Sequence, residues 1–285
     1  MKIGCQMAFN EFTSPDYIGE AGSLVEELGF HSLWVPEHVL FFPEYASRYP
    51  YSEDGRIPGD PHSLLDPFSA LTFLAAHTDR IRLGTGICIV PQRNPVYTAR
   101  QVADLDYLCG GRMDFGIGIG WLKEEFAALG VPWPDRAGRT RECVDVMKTL
   151  WCDEVSRFSG KYFAIDGAYH NPKPVQKPHP PLIFGGESDG AFRRVAELGQ
   201  GWFGFNMTPE AMESHLKTLD AALEAAGRSR DAIQVHISPA APASDRDGIR
   251  AIAELGADQI IMPLLAGNVE KLRERAGQTL ELVAG

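Results

Sequence analysis

Apolar and polar positions follow two rhythms that alternate along the whole chain. Short continuous apolar or β-branched runs occupy residues 2–9, 32–36, 81–90, 112–119, 181–185, 201–205, 233–238 and 258–263. Between them lie stretches whose apolar residues recur every three or four positions, the spacing of a helix with one buried face. Continuous rather than alternating apolar runs suit strands covered on both sides, and strands alternating with helices predict a parallel sheet built from crossover units. Eight such units predict a closed (β/α)8 barrel formed as a single domain over residues 1–285.

Local punctuation supports the helices. Asn94 and Pro95 suit an N-cap and first turn before Val96, Ala99, Val102, Leu105 and Cys109, and Gly110-Gly111 stop that helix. Thr208, Pro209 and Glu210 repeat the start signal before residues 212–226, and Gly227 supplies the stop. Two stretches exceed the minimal repeat. Residues 39–63, after strand 2, are rich in Pro, Tyr, Phe and acidic side chains, and residues 152–180, between helix 4 and strand 5, hold a strand-like pair around Gly160 and a Pro-rich return. Both are expected at the substrate side of the barrel, with plain surface loops as the alternative.

Composition narrows the function. The net charge of -11 provides no diffuse attraction for nucleic acid or anionic lipid, and neither partner is expected. No apolar run approaches the ~20 residues of a membrane span, and the first nine residues lack the regions of a signal peptide. Five scattered cysteines without a CxxC pair suggest neither a disulfide framework nor a thiolate metal site, which fits a reducing cytoplasm. No metal is expected. HExxH, nucleophile-elbow, P-loop and dinucleotide-binding patterns are missing from the sequence.

Candidate chemistry gathers at predicted strand ends. Glu37 and His38 follow the second strand, where barrel enzymes place reacting groups. Imidazole exchanges protons near neutrality, and a neighbouring carboxylate would fix its tautomer, so His38 is the candidate general acid/base with Glu37 beside it. A hydrogen-bonded structural histidine is the alternative. His236 lies within a strand and is placed to face the lumen. The third strand carries Gly84 and Gly86, and the fourth ends in Gly116-Ile117-Gly118-Ile119-Gly120-Trp121. Glycines in neighbouring strands at one level leave room for a flat ring system. The turn Gly185-Gly186-Glu187-Ser188 precedes a helix and offers backbone N–H groups to a phosphate, unless it is an ordinary N-cap by Ser188 or Asp189. Arg136, Arg139 and Arg141 open a long helix, where they can meet an acidic cofactor tail or form surface pairs.

Taken in order, LGFHSLWVPEH (28–38), DRIRLGTGICIVPQRNP (79–95), LCGGRMDFGIGIGWLKEEF (108–126), PPLIFGGESDGAFRRVAELGQGW (180–202) and GADQIIMPL (256–264) resemble the luciferase-like monooxygenase superfamily, and more closely its branch that uses the deazaflavin coenzyme F420. The resemblance covers nearly the whole chain. It implies a cofactor ring across the barrel mouth, backed by a bulge at Gly86 and Ile87 that often contains a non-proline cis peptide. Gly118, Ile119, Gly120 and Trp121 would flank that ring, and Gly185, Gly186, Glu187 and Ser188 would take the phosphate. His38, with Glu37, would be the proton donor or acceptor in hydride transfer to or from a small organic substrate. Some members have Cys or Arg where this chain has Gly118 and Ile119, so light emission is not implied. F420 is the expected cofactor. An FMN-dependent monooxygenase on the same scaffold and a non-redox phosphate-binding lyase or isomerase are the competing readings. The resemblance also implies a homodimer.

Overall fold

The computed structural model describes residues 1–59, 61–241 and 244–284, so residue 60 of the first insertion and residues 242, 243 and 285 lie outside the described residues. Eight parallel barrel strands are β1 (Lys2–Gln6), β2 (Ser32–Val35), β3 (Arg82–Thr85), β5 (Met113–Gly118), β8 (Leu182–Gly185), β9 (Gly201–Met207), β10 (Gln234–Pro239) and β11 (Gln259–Pro263). Pairing runs in the order β3-β2-β1-β11-β10-β9-β8-β5, and a further β3–β5 pairing closes the ring. Each predicted apolar run supplies one barrel strand.

The run 81–90 is interrupted. After β3 the chain resumes pairing with β5 only at β4 (Cys88–Ile89), with Gly84 opposite Asp114 and Cys88 opposite Ile117. Four steps on one strand therefore face three on the other, which is a bulge. The Gly86–Ile87 peptide within it is cis, as the resemblance implies.

Helices α1 (Pro15–Glu27), α2 (Pro67–Ala75), α3 (Pro95–Leu108), α5 (Arg136–Cys152), α6 (Asp189–Leu198), α7 (Pro209–Ala225), α8 (Arg246–Glu254) and α9 (Val269–Ala284) form the outer layer. Asn94 and Thr208 cap α3 and α7 through their side chains as predicted, and Gly110, Gly111 and Gly227 take positive φ at the stops. Of the predicted α3 stripe, Ala99, Val102, Leu105 and Cys109 are buried whereas Val96 is exposed. The main core lies between strands and helices, and a second cluster of Trp34, Ile183, Phe203 and Ile261 fills the lumen.

The second insertion corrects an expectation. Its hairpin, β6 (Ser156–Ser159) with β7 (Ala164–Ala168), packs on α5. The Glu142 carboxylate accepts from the main-chain N–H groups of Lys161, Tyr162 and Phe163, and Arg139 stacks on Phe163, so the hairpin's polar groups and rings are spent on that helix.

Candidate active site

The mouth is built from loops that follow β2, β3, β5, β8 and β9. Gly86, Ile87, Ile119, Gly120, Trp121, Gly185, Gly186 and Glu187 are all partly exposed there, above strands that are buried. His38 stands among them with both ring nitrogens engaged. The indole N–H of Trp121 donates to His38 Nε2 at 3.2 Å, and His38 Nδ1 lies 3.1 Å from Glu125 Oε2. An indole nitrogen can only donate, so Nε2 must accept and the neutral ring carries its proton on Nδ1, toward the carboxylate. The Glu125 side chain is almost fully buried, and its other oxygen accepts from Val39 N at 2.6 Å and Leu40 N at 3.1 Å.

Glu37 is therefore not the carboxylate that orients His38. It turns the other way and accepts from Ile89 N at 2.5 Å and Arg93 Nε at 2.5 Å, while Arg93 also binds Asp66 at 2.6 Å. This buried pair fixes the β4 segment to the loop after β2. Its geometry is structural, and Glu125, on the short helix α4 (Lys123–Ala128), takes the role expected of Glu37.

The glycine argument also changes. A Cβ on Gly84 would lie 2.4 Å from the Trp34 ring, and one on Gly118 or Gly185 would lie 2.5 Å from Ile87 Cδ1. The room left by Gly118 and Gly185 is thus taken by one protein side chain and is not an open slot. Ile87, partly exposed above them, is an aliphatic shelf at the floor of the mouth. Gln6 Nε2 donates to Gly86 O at 2.7 Å and steadies the bulge beneath it. Gly120 has φ +77°, and a Cβ there would sit 2.6 Å from Phe126, so the turn that presents Trp121 requires glycine.

The first insertion forms one wall. Tyr45 and Tyr49 meet Trp121 edge-on at 5.7 and 5.2 Å, Tyr51 meets Phe205 at 4.9 Å, and Phe41 lies 5.1 Å from the His38 ring. Glu124 holds this wall through Ala46 N and Ser47 Oγ, each at 2.7 Å. Opposite, Glu187 accepts from the Tyr51 hydroxyl at 2.9 Å and from Phe205 N at 3.3 Å. Burial raises the Glu187 carboxyl above its ordinary range despite these two donors, and burial followed by the Glu187 charge raises Tyr49 to about 12.

Ser188 is the N-cap of α6, its hydroxyl accepting from Ala191 N at 3.2 Å, which is the ordinary structural use of that residue. The cap does not exhaust the site. Arg194, on the first turns of α6, is 7% exposed and has no hydrogen bond or ion pair among the described residues. Its Nη1 lies 3.6 Å from where a Gly190 Cβ would be, beside the helix N-terminus. Burial, then the charges of Arg141, Arg136 and Arg193, lower the Arg194 guanidinium to about 10. Arg136 stacks on Trp133 at 3.8 Å and leaves a buried Nε without a partner, whereas Arg141 pairs with exposed Glu197 and Arg139 donates to Pro91 O. Arg136 also donates to Trp133 O at 3.3 Å, so of the three predicted arginines only Arg141 has a carboxylate partner among the described residues, and Arg136 and Arg139 meet carbonyl oxygens alone.

Glu125, Arg194, Tyr49 and Tyr51 escaped the sequence reading. Glu125 lies 87 residues from its histidine, and no local pattern joins them.

Among known proteins, an uncharacterized protein of Mycobacterium tuberculosis is 31% identical over 246 residues, covering 85% of this chain and 84% of its own. The FMNH(2)-dependent dimethylsulfone monooxygenase of Pseudomonas putida is 27% identical over 217 residues, covering 75% of this chain and 55% of the relative. In fold, an F420-dependent secondary alcohol dehydrogenase solved with an F420-acetone adduct superposes with a TM-score of 0.78 at 18% identity, covering 99% and 98% of the two chains. The model of the luciferase-like monooxygenase family matches residues 3–281, so this barrel, with its bulged third strand and histidine-bearing mouth, belongs to that family.

Proposed function

We propose that the chain is an F420-dependent oxidoreductase that transfers hydride to or from a small organic substrate at the mouth, with His38 as proton donor or acceptor. The observation that supports a cofactor with an anionic tail is the cationic site at the start of α6, and the WVPEH (34–38) and GGES (185–188) segments favour F420 over FMN. Arg194 is crowded by the like charges of Arg141, Arg136 and Arg193, and a bound anion would relieve that repulsion. Arg194, the unpaired Nε of Arg136 and the α6 amides suit an anionic cofactor tail, in a chain whose overall charge is -11. The residues present therefore fit the group.

When bound, F420 supplies a ring that carries a hydride and disfavours one-electron oxygen chemistry. Ile87 supports the ring from the barrel side, on strands thinned at Gly118 and Gly185. Trp121 and the tyrosines of the first insertion exclude water from the other side. His38 handles the proton at Nε2. Trp121 occupies that lone pair with a single neutral hydrogen bond, which an incoming substrate hydroxyl replaces. Glu125 holds the Nδ1 proton, keeps the ring oriented and stabilises the imidazolium formed when Nε2 takes a second proton.

A fluorescence titration with F420 and FMN side by side tests the reading. Saturable F420 quenching, weakened about 10-fold or more by Arg194→Ala and by added salt, is expected. Binding of neither compound overturns it, and binding of FMN alone selects a monooxygenase related in cofactor to the Pseudomonas relative. His38→Ala should slow the chemical step by about 10²–10⁴-fold with cofactor affinity retained.

A further inference from the structure

A cavity of about 510 Å³ lies at the opposite end of the barrel from His38. Lys2, Arg82 and Gln259 line it, and they begin strands β1, β3 and β11, which places it at the N-terminal end of the lumen. Barrels ordinarily use this end for packing and stability. Here it contains an unexplained group. His236, on β10, is 3% exposed, lines the cavity, and neither of its ring nitrogens has a hydrogen-bond partner. Buried polar side chains are rarely left so, because an unpaired buried donor or acceptor loses its hydration without replacement. Burial lowers His236 to about 4, opposed by the charges of Asp114 and Asp258 and by the neighbouring Gln259 side chain, whose amide is already donated to Ser32 Oγ. The neutral ring thus carries one donor and one acceptor in the cavity wall, both covered in this structure.

The charges around it are one-sided. Three cations line the space, Lys2, Arg82 and Lys177, against one carboxylate, Asp114. That carboxylate is already spent, both oxygens accepting from Arg82 at 2.9 and 2.5 Å. Arg82 still has Nη1 without a partner among the described residues, and the Lys2 ammonium has none either. Asp258, beside the rim, is committed to Val235 N at 2.7 Å. Unspent groups are therefore donors and positive charge at the rim and wall, with a donor–acceptor pair on the floor.

We propose that this basal cavity is a second ligand site, which takes a small organic anion, a carboxylate or phosphate ester of about monosaccharide size, with His236 hydrogen-bonding its uncharged part. The volume falls within the range of about 300–1,000 Å³ usual for small-molecule sites. Trp34, 5.5 Å from the His236 ring and fully buried, stands with Phe203, Ile183 and Ile261 across the lumen, so the cavity is separate from the mouth.

The test uses the full chain labelled in its histidine rings, with inorganic phosphate and succinate as probes and chloride at matched ionic strength as control. His236→Phe identifies the His236 resonance by its loss. The expected result is a saturable shift of the His236 and His31 ring signals with at least one probe and not with chloride. Phosphate acting alone points to a phosphate ester, and succinate acting alone to a carboxylate. Lys2→Gln with Lys177→Gln, both at exposed positions, should weaken the response at least about fivefold, and Arg194→Ala should leave it unchanged. No shift beyond that of chloride overturns the proposal, as does full binding by the double rim variant or loss of binding in Arg194→Ala.

Discussion

Replacing Glu125 by glutamine should remove the tautomer preference of His38, and the geometry sets the size of the effect. In the parent, the carboxylate accepts from Val39 N at 2.6 Å and Leu40 N at 3.1 Å through one oxygen and faces His38 Nδ1 at 3.1 Å with the other. Glutamine keeps one acceptor oxygen, which the two main-chain donors retain. Its NH2 group then faces Nδ1–H, donor against donor. Moving the imidazole proton to Nε2 relieves that clash and creates another, because the Trp121 indole N–H points at Nε2 from 3.2 Å. Whichever conflict remains, a hydrogen bond to a charged group is lost, about 1.5–3 kcal/mol. That corresponds to a change of about 10–100-fold in the population with a proton on Nδ1 and a free lone pair on Nε2. Nitrogen-15 spectra of the histidine rings read this directly, without a known substrate. The parent should show a protonated Nδ1 and an unprotonated Nε2, and Glu125→Gln should average the two. A parent ring protonated on Nε2, or a variant with the parent's spectrum, refutes the reasoning.

Other perturbations separate structural from chemical roles. Arg93→Ala strands the Glu37 carboxylate in a buried site and should cost about 3–5 kcal/mol in urea unfolding, yet leave cofactor quenching of the folded protein intact; loss of quenching without loss of stability would return Glu37 to the chemistry. Gly116→Ala places a Cβ 1.9 Å from the Thr85 carbonyl oxygen and should prevent folding, whereas Gly118→Ala meets only the end of Ile87 and should cost about 1–3 kcal/mol; equal thermal stabilities would contradict the packing. His236 has a folded pKa of about 4 against an ordinary value of about 6.5, so the unfolded chain takes up this proton first as pH falls. Its contribution to stability is complete above about pH 6.5 and is lost toward pH 4, by at most about 3 kcal/mol. Urea midpoints at pH 7.5 and 5 should therefore diverge more in the parent than in His236→Phe, and parallel pH dependences would exclude that residue as the cause.

The barrel was legible because its strands are covered on both faces and so appear as unbroken apolar runs, and because Asn94 and Thr208 mark helix starts chemically. His38 was legible from its place at a strand end. Its partner was not, for two physical reasons. Consecutive side chains in extended chain point to opposite sides, so Glu37 beside His38 in sequence is directed away from it in space. Glu125 reads locally as one acid in the first turn of a short helix, and only closure of the barrel brings it to the histidine. The arginines at α5 were visible as a cluster, but whether each is paired depends on Glu197, Pro91 and Trp133, which lie elsewhere in the chain or offer no charge.

Glycine in a lumen-facing strand records a missing side chain without recording what fills its place. In this chain the fillers divide the lumen. Trp34 takes the space beside Gly84 and hangs its indole N–H on Ser32 Oγ at 2.6 Å, where the Gln259 amide also donates. Ile87 takes the space over Gly118 and Gly185. Trp34 thus packs behind His236 in the wall of the basal cavity, and Ile87 shows an aliphatic face toward the mouth. With Ile183, Phe203 and Ile261 packed across the middle, neither compartment can pass a ligand to the other. The same glycines that a flat cofactor would exploit from above are therefore also the reason the barrel has a dry, closed centre. That packing is what separates a histidine-bearing mouth from a cation-lined base within one small barrel.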